Sequence, residues 1–243
     1  HSMQKLVAAG RILGACLIAG ATAAIATAPA TAQVKDNQIY TSTQMDLSYN
    51  LWDRGTSFRW EGQGWIGTDK NKFYWKTEGE RRDGAMEEAE LQFLYSRYIT
   101  QFWDFQVGVR QDFVPRATTF AVIGIQGLAK YWFEVDVALF ISDDGDVSAR
   151  IELEYDILVT NKLIAAPYLT LDFSANEVPN RSLGRGLTEI ETGMQIRYLI
   201  TPDFAPFVDF RYSRLIGETA NLAKAEGEDR GAFRILLGVR IRF

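Results

Sequence analysis

From residue 44 onward the chain repeats one pattern, with apolar side chains at every second position and polar or small ones between them. Trp103, Phe105, Val107 and Val109 alternate with Asp104, Gln106, Gly108 and Arg110. Phe133, Val135, Val137, Leu139 and Ile141 alternate with Glu134, Asp136, Ala138 and Phe140. Val147, Ala149, Ile151, Leu153, Tyr155 and Ile157 alternate with Ser148, Arg150, Glu152, Glu154 and Asp156. The last segment sets Phe233, Ile235, Leu237, Val239, Ile241 and Phe243 against Arg234, Leu236, Gly238, Arg240 and Arg242. Successive side chains on a strand point to opposite faces, so each segment has one apolar and one polar face. Beyond the N-terminal segment no apolar run reaches the ~20 residues of a spanning helix.

A soluble sandwich would turn the apolar faces inward, and a membrane barrel would turn them outward. Three features favour the barrel. The segments run to about 10–13 residues, against a mode of about 5–6 in soluble sheets and about 9–11 for a tilted strand crossing a bilayer. The connections alternate in length: Thr160-Asn161-Lys162 and Thr201-Pro202-Asp203 are tight, whereas Asn176 to Gly186 and Gly217 to Gly231 are long and polar. Short periplasmic turns opposite longer outer loops characterise outer-membrane barrels. Finally, Trp52, Trp60, Trp65, Trp75, Trp103, Tyr131, Trp132 and Tyr198 crowd strand ends, where aromatic girdles form. Phe243, closing an alternating strand, resembles the terminal aromatic read by the bacterial barrel-assembly machinery.

Strands are expected near 44–53, 58–67, 72–82, 87–99, 102–113, 117–127, 131–142, 147–159, 163–175, 187–200, 204–216 and 231–243. Bacterial barrels favour an even number. The expected fold is therefore all-β: a transmembrane, antiparallel, up-and-down β-barrel over residues 43–243. It has about twelve strands, or ten if the first hairpin is incomplete. Both termini would then face the periplasm.

The first 42 residues fall into three pieces. His1 and Ser2 precede a plausible initiator Met3 and look like a cloning scar. Lys5 and Arg11, an apolar stretch from Ile12 to about Ala28, and Ala30-Thr31-Ala32 give residues 3–32 the form of a secretory signal cleaved before Gln33. Leu13-Gly14-Ala15-Cys16 resembles a lipoprotein box, but the apolar run continues past Cys16, which argues against lipidation. Residues 33–42 are left as a short periplasmic tail.

Composition sharpens this picture by exclusion. The chain has one cysteine and one histidine, and both fall before residue 33. The mature chain therefore has no disulfide framework, zinc finger or C-x-x-C site. Loss of Lys5 and Arg11 leaves 24 basic against 31 acidic residues, a net charge of −7. That sign argues against a nucleic-acid partner.

With the apolar faces on lipid, the polar faces line the lumen. Its acids would be Glu78, Glu80, Glu88, Glu90, Asp104, Asp112, Glu134, Asp136, Glu152, Glu154, Asp156, Asp172, Glu189, Glu191 and Asp209. Its bases would be Lys76, Arg82, Arg110, Arg150, Arg197, Arg211, Arg234, Arg240 and Arg242. Paired charges fill a small barrel, and that structural role competes with function at every one of these positions. The excess of acids would nonetheless attract cations and bind hard or borderline metals. Glu152-x-Glu154-x-Asp156 and Glu134-x-Asp136 place carboxylates on one face about 7 Å apart, a spacing that holds a hydrated cation without defining a ligand set.

A series of motifs adds a family resemblance. Leu94-Tyr95-Ser96-Arg97 is followed by Gly108-Val109-Arg110-Gln111-Asp112-Phe113 and by the run from Gly124 to Glu134, Gly-Ile-Gln-Gly-Leu-Ala-Lys-Tyr-Trp-Phe-Glu. Glu154-Tyr155-Asp156, Gly184-Arg185-Gly186-Leu187-Thr188-Glu189, Ala205-Pro206-Phe207, Ala225-Glu226-Gly227-Glu228-Asp229 and Gly238-Val239-Arg240 come next. In this order, from about residue 58 to 243, the chain resembles the copper resistance protein B family of bacterial outer-membrane proteins. The resemblance implies a monomeric barrel in the outer membrane of a Gram-negative bacterium, in contact with its lipid bilayer. It also implies binding or passage of copper ions, with room for a periplasmic copper-resistance partner. Many family members carry an N-terminal extension rich in Met and His. Here only ten or so residues precede the first strand, and none is Met or His. Met45 and Met194 are expected to face lipid, and Met86 lies near the outer loop between the third and fourth strands. Copper ligands would then be carboxylates, with Met86 or a tyrosine, a set better suited to Cu(II) than to Cu(I). The candidate metal residues are Glu152, Glu154, Asp156, Glu134, Asp136, Asp112 and Met86.

Two other functions compete with a copper-handling barrel. Outer-membrane phospholipases, lipid A deacylases and proteases rely on a histidine base or relay, which the mature chain lacks. A carboxylate pair could hydrolyse glycosides, but nothing marks one out. The chain is thus expected not to be an enzyme and to need no resident cofactor, copper being cargo. A passive barrel closed by its own charges is the alternative.

Overall fold

The computed structural model describes residues 38–50, 57–130, 133–227 and 229–243. Twelve strands run in chain order: β1 Tyr40–Asn50, β2 Ser57–Gly67, β3 Asn71–Arg82, β4 Ala85–Thr100, β5 Trp103–Val114, β6 Thr118–Leu128, β7 Glu134–Ser142, β8 Val147–Glu154 with a short continuation at Ile157–Leu158, β9 Leu163–Ser174, β10 Gly186–Tyr198, β11 Phe204–Leu215 and β12 Gly231–Arg242. Each pairs antiparallel with its neighbour in sequence. β1 closes on β12 from Gln44↔Arg242 to Asn50↔Leu236. The fold is a closed twelve-stranded up-and-down barrel with no free sheet edge, as the alternation predicts.

The faces are inverted relative to a soluble protein. On β5, Phe105, Val107 and Val109 are 37%, 41% and 51% exposed, whereas Gln106 and Arg110 are 2% and 7% exposed. In a bilayer the outer apolar surface lies against lipid, and the strand ladders run around the whole ring. The start of β1 and the end of β12 lie at one end of the barrel, called here the terminal end. Phe243 exchanges two backbone hydrogen bonds with Thr43 there.

Aromatic belts mark both ends of the outer wall. Tyr95, Tyr98, Phe102, Phe133, Tyr198 and Phe204 are exposed toward the terminal end, and Tyr49, Phe113, Tyr212 and Phe233 toward the far end. Tyr and Phe thus form much of both belts. Trp60 and Trp75 have another task. Each lies over a glycine of the neighbouring strand, so that a Cβ at Gly79 would meet the Trp60 ring at 2.1 Å and one at Gly64 would meet Trp75 Nε1 at 2.6 Å. The expected belt residues Trp52, Tyr131 and Trp132, and the expected signal 3–32, lie outside the described residues. Strand β1 begins at Tyr40, so residues 40–42 of the expected tail belong to the barrel.

Two elements differ from the expected pattern for local reasons. The segment 147–159 is broken at Tyr155–Asp156 because Pro167 lies opposite on β9. Its carbonyl accepts from Tyr155 N–H at 3.1 Å, but a proline has no N–H to return. The second difference is in the polar connection after Gly217, which contains a helix, α1 (Gly217–Glu226). Ala220, Leu222, Ala223 and Lys224 are good helix formers, and Gly227 ends the helix at φ 84°. Ala220 and Ala223, three apart, form its buried face. The connection 175–185 packs on this helix: Gly184 N–H donates to Thr219 Oγ1 and Arg185 N–H to Glu218 Oε2, both at 2.9 Å. The far end therefore carries two interlocked loops.

The inner face is not uniformly polar. Leu94, Phe120, Val122 and Phe140 are at most 3% exposed and pack together inside the arc β4–β7, with Tyr74 and Ala138 against them. On the same arc β5 approaches β4 closely, and a Cβ at Gly108 would lie 2.0 Å from the Phe93 carbonyl oxygen and 2.8 Å from Leu94 Cα. These are backbone atoms that cannot yield without breaking the register. Gly108→Val is expected to lower the folded fraction sharply, by about 3 kcal/mol or more. The heat-shifted gel migration of refolded barrel checks this, and migration like the wild type would contradict it.

Candidate functional site: an acidic lumen

A cavity of about 830 Å³ runs along the barrel interior. Fourteen carboxylate residues and seven Lys or Arg residues line it, so its field favours cations. The charged side chains arrive there by alternation on β1–β5 and β7–β12.

The central hub is Arg59. It bonds Glu61 through Nε at 2.7 Å, pairs closely with Glu78, and lies 3.7 Å from Glu80. Arg211 holds Glu61 from the other side at 3.1 Å, Glu191 at 3.3 Å and Asp209 at 3.0 Å. The Tyr168 hydroxyl completes this group by donating to Asp209 at 3.1 Å. Two further connections reach across the lumen. Lys76 on β3 pairs with Asp136 on β7. Arg150 on β8 bonds Asp172 at 2.9 Å and lies 3.6 Å from Glu78 and 3.8 Å from Glu90. Toward the terminal end Arg240 grips Asp46 through two bonds of 2.7 and 2.6 Å across the β1–β12 closure. Lys72 holds Asp104 there at 2.6 Å.

The expected metal residues separate into groups. Glu134, Asp136, Glu152 and Glu154 come together on one wall. They are directly opposite one another, Glu134↔Glu154 and Asp136↔Glu152, and all four line the cavity. Like charges facing each other across a ladder repel, and this wall holds two such pairs. Glu134 has no Lys or Arg nitrogen within 4 Å among the described residues. Asp156 lies just beyond and is paired with Arg197, which also reaches Glu154 at 3.3 Å. Asp112 is elsewhere. It is buried at the far end between Arg110 at 2.6 Å and Arg181 at 3.0 Å and lines a separate cavity of about 260 Å³. Met86 is 44% exposed beside the β3–β4 turn, opposite Arg81, and does not join the carboxylates. Among the described residues no three His, Cys, Asp or Glu side chains converge tightly enough to cage an ion.

Several lumen residues are absent from the expected inward set. Asp46, Arg59, Glu61 and Lys72 face inward, with Asp46 alternating against Met45 and Leu47, and Arg59 and Glu61 against Trp60. Extending the period-2 pattern to β1 and β2, and back along β3 from Lys76 to Lys72, would have found them. Arg181 has no such signal. It reaches the lumen from a loop, where it stacks over Phe120 at 5.3 Å and binds Asp112.

Comparison with known proteins agrees with this picture. The family described as Copper resistance protein B precursor matches residues 39–243. The chain is 40% identical to Copper resistance protein B of Escherichia coli over 198 residues, which cover 81% of this chain and 67% of that protein. It is 39% identical to the Copper resistance protein B homolog of Pseudomonas syringae pv. tomato over 223 residues, covering 91% and 76%. In fold it is similar to the NanC porin, with a TM-score of 0.54 at 12% identity, over 83% of this chain and 98% of the porin.

Proposed function

Since the chain belongs to the copper resistance protein B family of outer-membrane barrels, we propose that its acidic lumen binds copper ions and passes them along the barrel. The observation that carries this is the wall of facing carboxylates, Glu134 with Glu154 and Asp136 with Glu152, on a cavity lined by twice as many acids as bases. Carboxylate oxygens suit hydrated Cu(II), and wide spacing without a cage favours transient occupancy over tight storage. Copper is cargo here, with no resident cofactor and no catalysis. The barrel acts as a monomer and exchanges copper with a periplasmic partner at its terminal end.

Equilibrium binding of Cu(II) to the refolded barrel tests this. Glu134→Gln, Glu152→Gln and Glu154→Gln together are expected to weaken binding at least tenfold, since each removes a carboxylate ligand from the wall. Unchanged affinity would sink the assignment. A barrel that binds no copper and leaves tolerance unaltered on deletion would be a passive, charge-filled one.

A further inference from the structure

The lumen is divided by cross-barrel ion pairs, and one of them has unusual chemistry. Lys76 and Asp136 are 60 residues apart and sit on β3 and β7. Arg150 spans from β8 to Glu78 and Glu90 on β3 and β4. On one side of these chords the arc β4–β7 is partly filled by Leu94, Phe120, Val122 and Phe140. The residues of both chords line the main cavity, so ions moving along it pass beside them. Arg150 holds its carboxylates by several contacts at once. Lys76 is a single ammonium on a flexible stem, paired with Asp136 directly opposite Glu152. A point charge held by one partner is exchangeable in a way that a forked guanidinium is not.

We propose that Lys76 is a tethered counter-cation, seated on the Asp136–Glu152 carboxylate pair that a mobile cation would otherwise occupy, and that it sets the barrel's cation affinity and selectivity. An arriving divalent ion displaces the ammonium and, on leaving, lets it return. Binding is thereby kept weak enough for release. Lys76 has this role only if the lumen is a cation path, as proposed above.

The prediction runs opposite to damage. Lys76→Met, in the full-length refolded barrel, is expected to bind Cu(II) roughly tenfold more tightly, because one like charge is removed from the site. In planar bilayers under a KCl gradient it is expected to raise the permeability of K⁺ over Cl⁻. Asp136→Asn is expected to move both quantities the other way. Folding is checked by heat-shifted gel migration, and Lys76→Gln, which can still hydrogen-bond Asp136, replaces Lys76→Met if the latter does not fold. If the wild type binds Cu(II) and the Lys76 variant binds it no more tightly, Lys76 has no such role and the copper path stands. If neither the wild type nor the variant binds Cu(II), the copper path fails, and the KCl experiment alone decides on Lys76. No rise in cation preference there, including no current from either protein, overturns the proposal.

Discussion

Arg59→Met should destabilise the barrel by about 3 kcal/mol, the lower end of what is expected when one member of a buried ion network is removed. Arg59 touches Glu61, Glu78 and Glu80. Its loss leaves three carboxylates near one another, two of them less than a quarter exposed. Compensation remains from Arg211 to Glu61, Arg150 to Glu78 and Arg234 to Glu80, which is why the larger end of the range is not expected. Urea unfolding from lipid vesicles, followed by tryptophan fluorescence, measures the change. Adding Glu78→Gln should recover part of the loss, because one unpaired charge is then removed. A single variant with an unchanged midpoint would show that the network is solvated enough to be energetically neutral.

Phe120→Ala should cost a similar or larger amount, about 3–5 kcal/mol, through a cavity in the middle of the inner apolar cluster. Phe120 packs edge-on to Phe140 at 6.3 Å, and the Arg110 and Arg181 guanidinium groups each lie 5.3 Å from its centroid. Truncation removes the apolar fill and both cation–π seats together. Loop 175–185, which carries Arg181, should lose protection in hydrogen exchange before the strands do. Equal protection in the loop would show that the Asp112 ion pair and the hydrogen bonds to α1 hold it without the Phe120 ring. A stability change below about 1 kcal/mol would show that the neighbours collapse into the gap.

The barrel itself was legible because its signal is repeated. Each strand alternates, the ring closes with twelve, and the apolar faces of β5, β7, β8 and β12 point outward as their patterns require. Departures arise where one residue acts on a distant one. Pro167 breaks β8 from the neighbouring strand, and nothing in 147–159 records it. The helix after Gly217 was written in its Ala-rich composition but masked by the polar look of the loop.

The candidate site was half legible. Alternation places Glu134, Asp136, Glu152 and Glu154 on one face of their strands, and their register then makes them opposite pairs. The same alternation puts Asp112 in the lumen, but only the fold shows it clamped between two arginines at the far end. Met86 was placed near the right turn, and only the bulge between Glu80 and Arg81 decides which way it points.

Sequence by itself thus determined the strands, the inverted faces, the acidic balance and the scarcity of histidine and cysteine, because those depend on period and composition. Tertiary structure decided which charges meet. Arg59 with Glu78 and Glu80, Lys76 with Asp136 across the barrel, and the apolar fill behind them all join residues on different strands. Such pairings follow from the closure and stagger of the ring, which no single strand encodes.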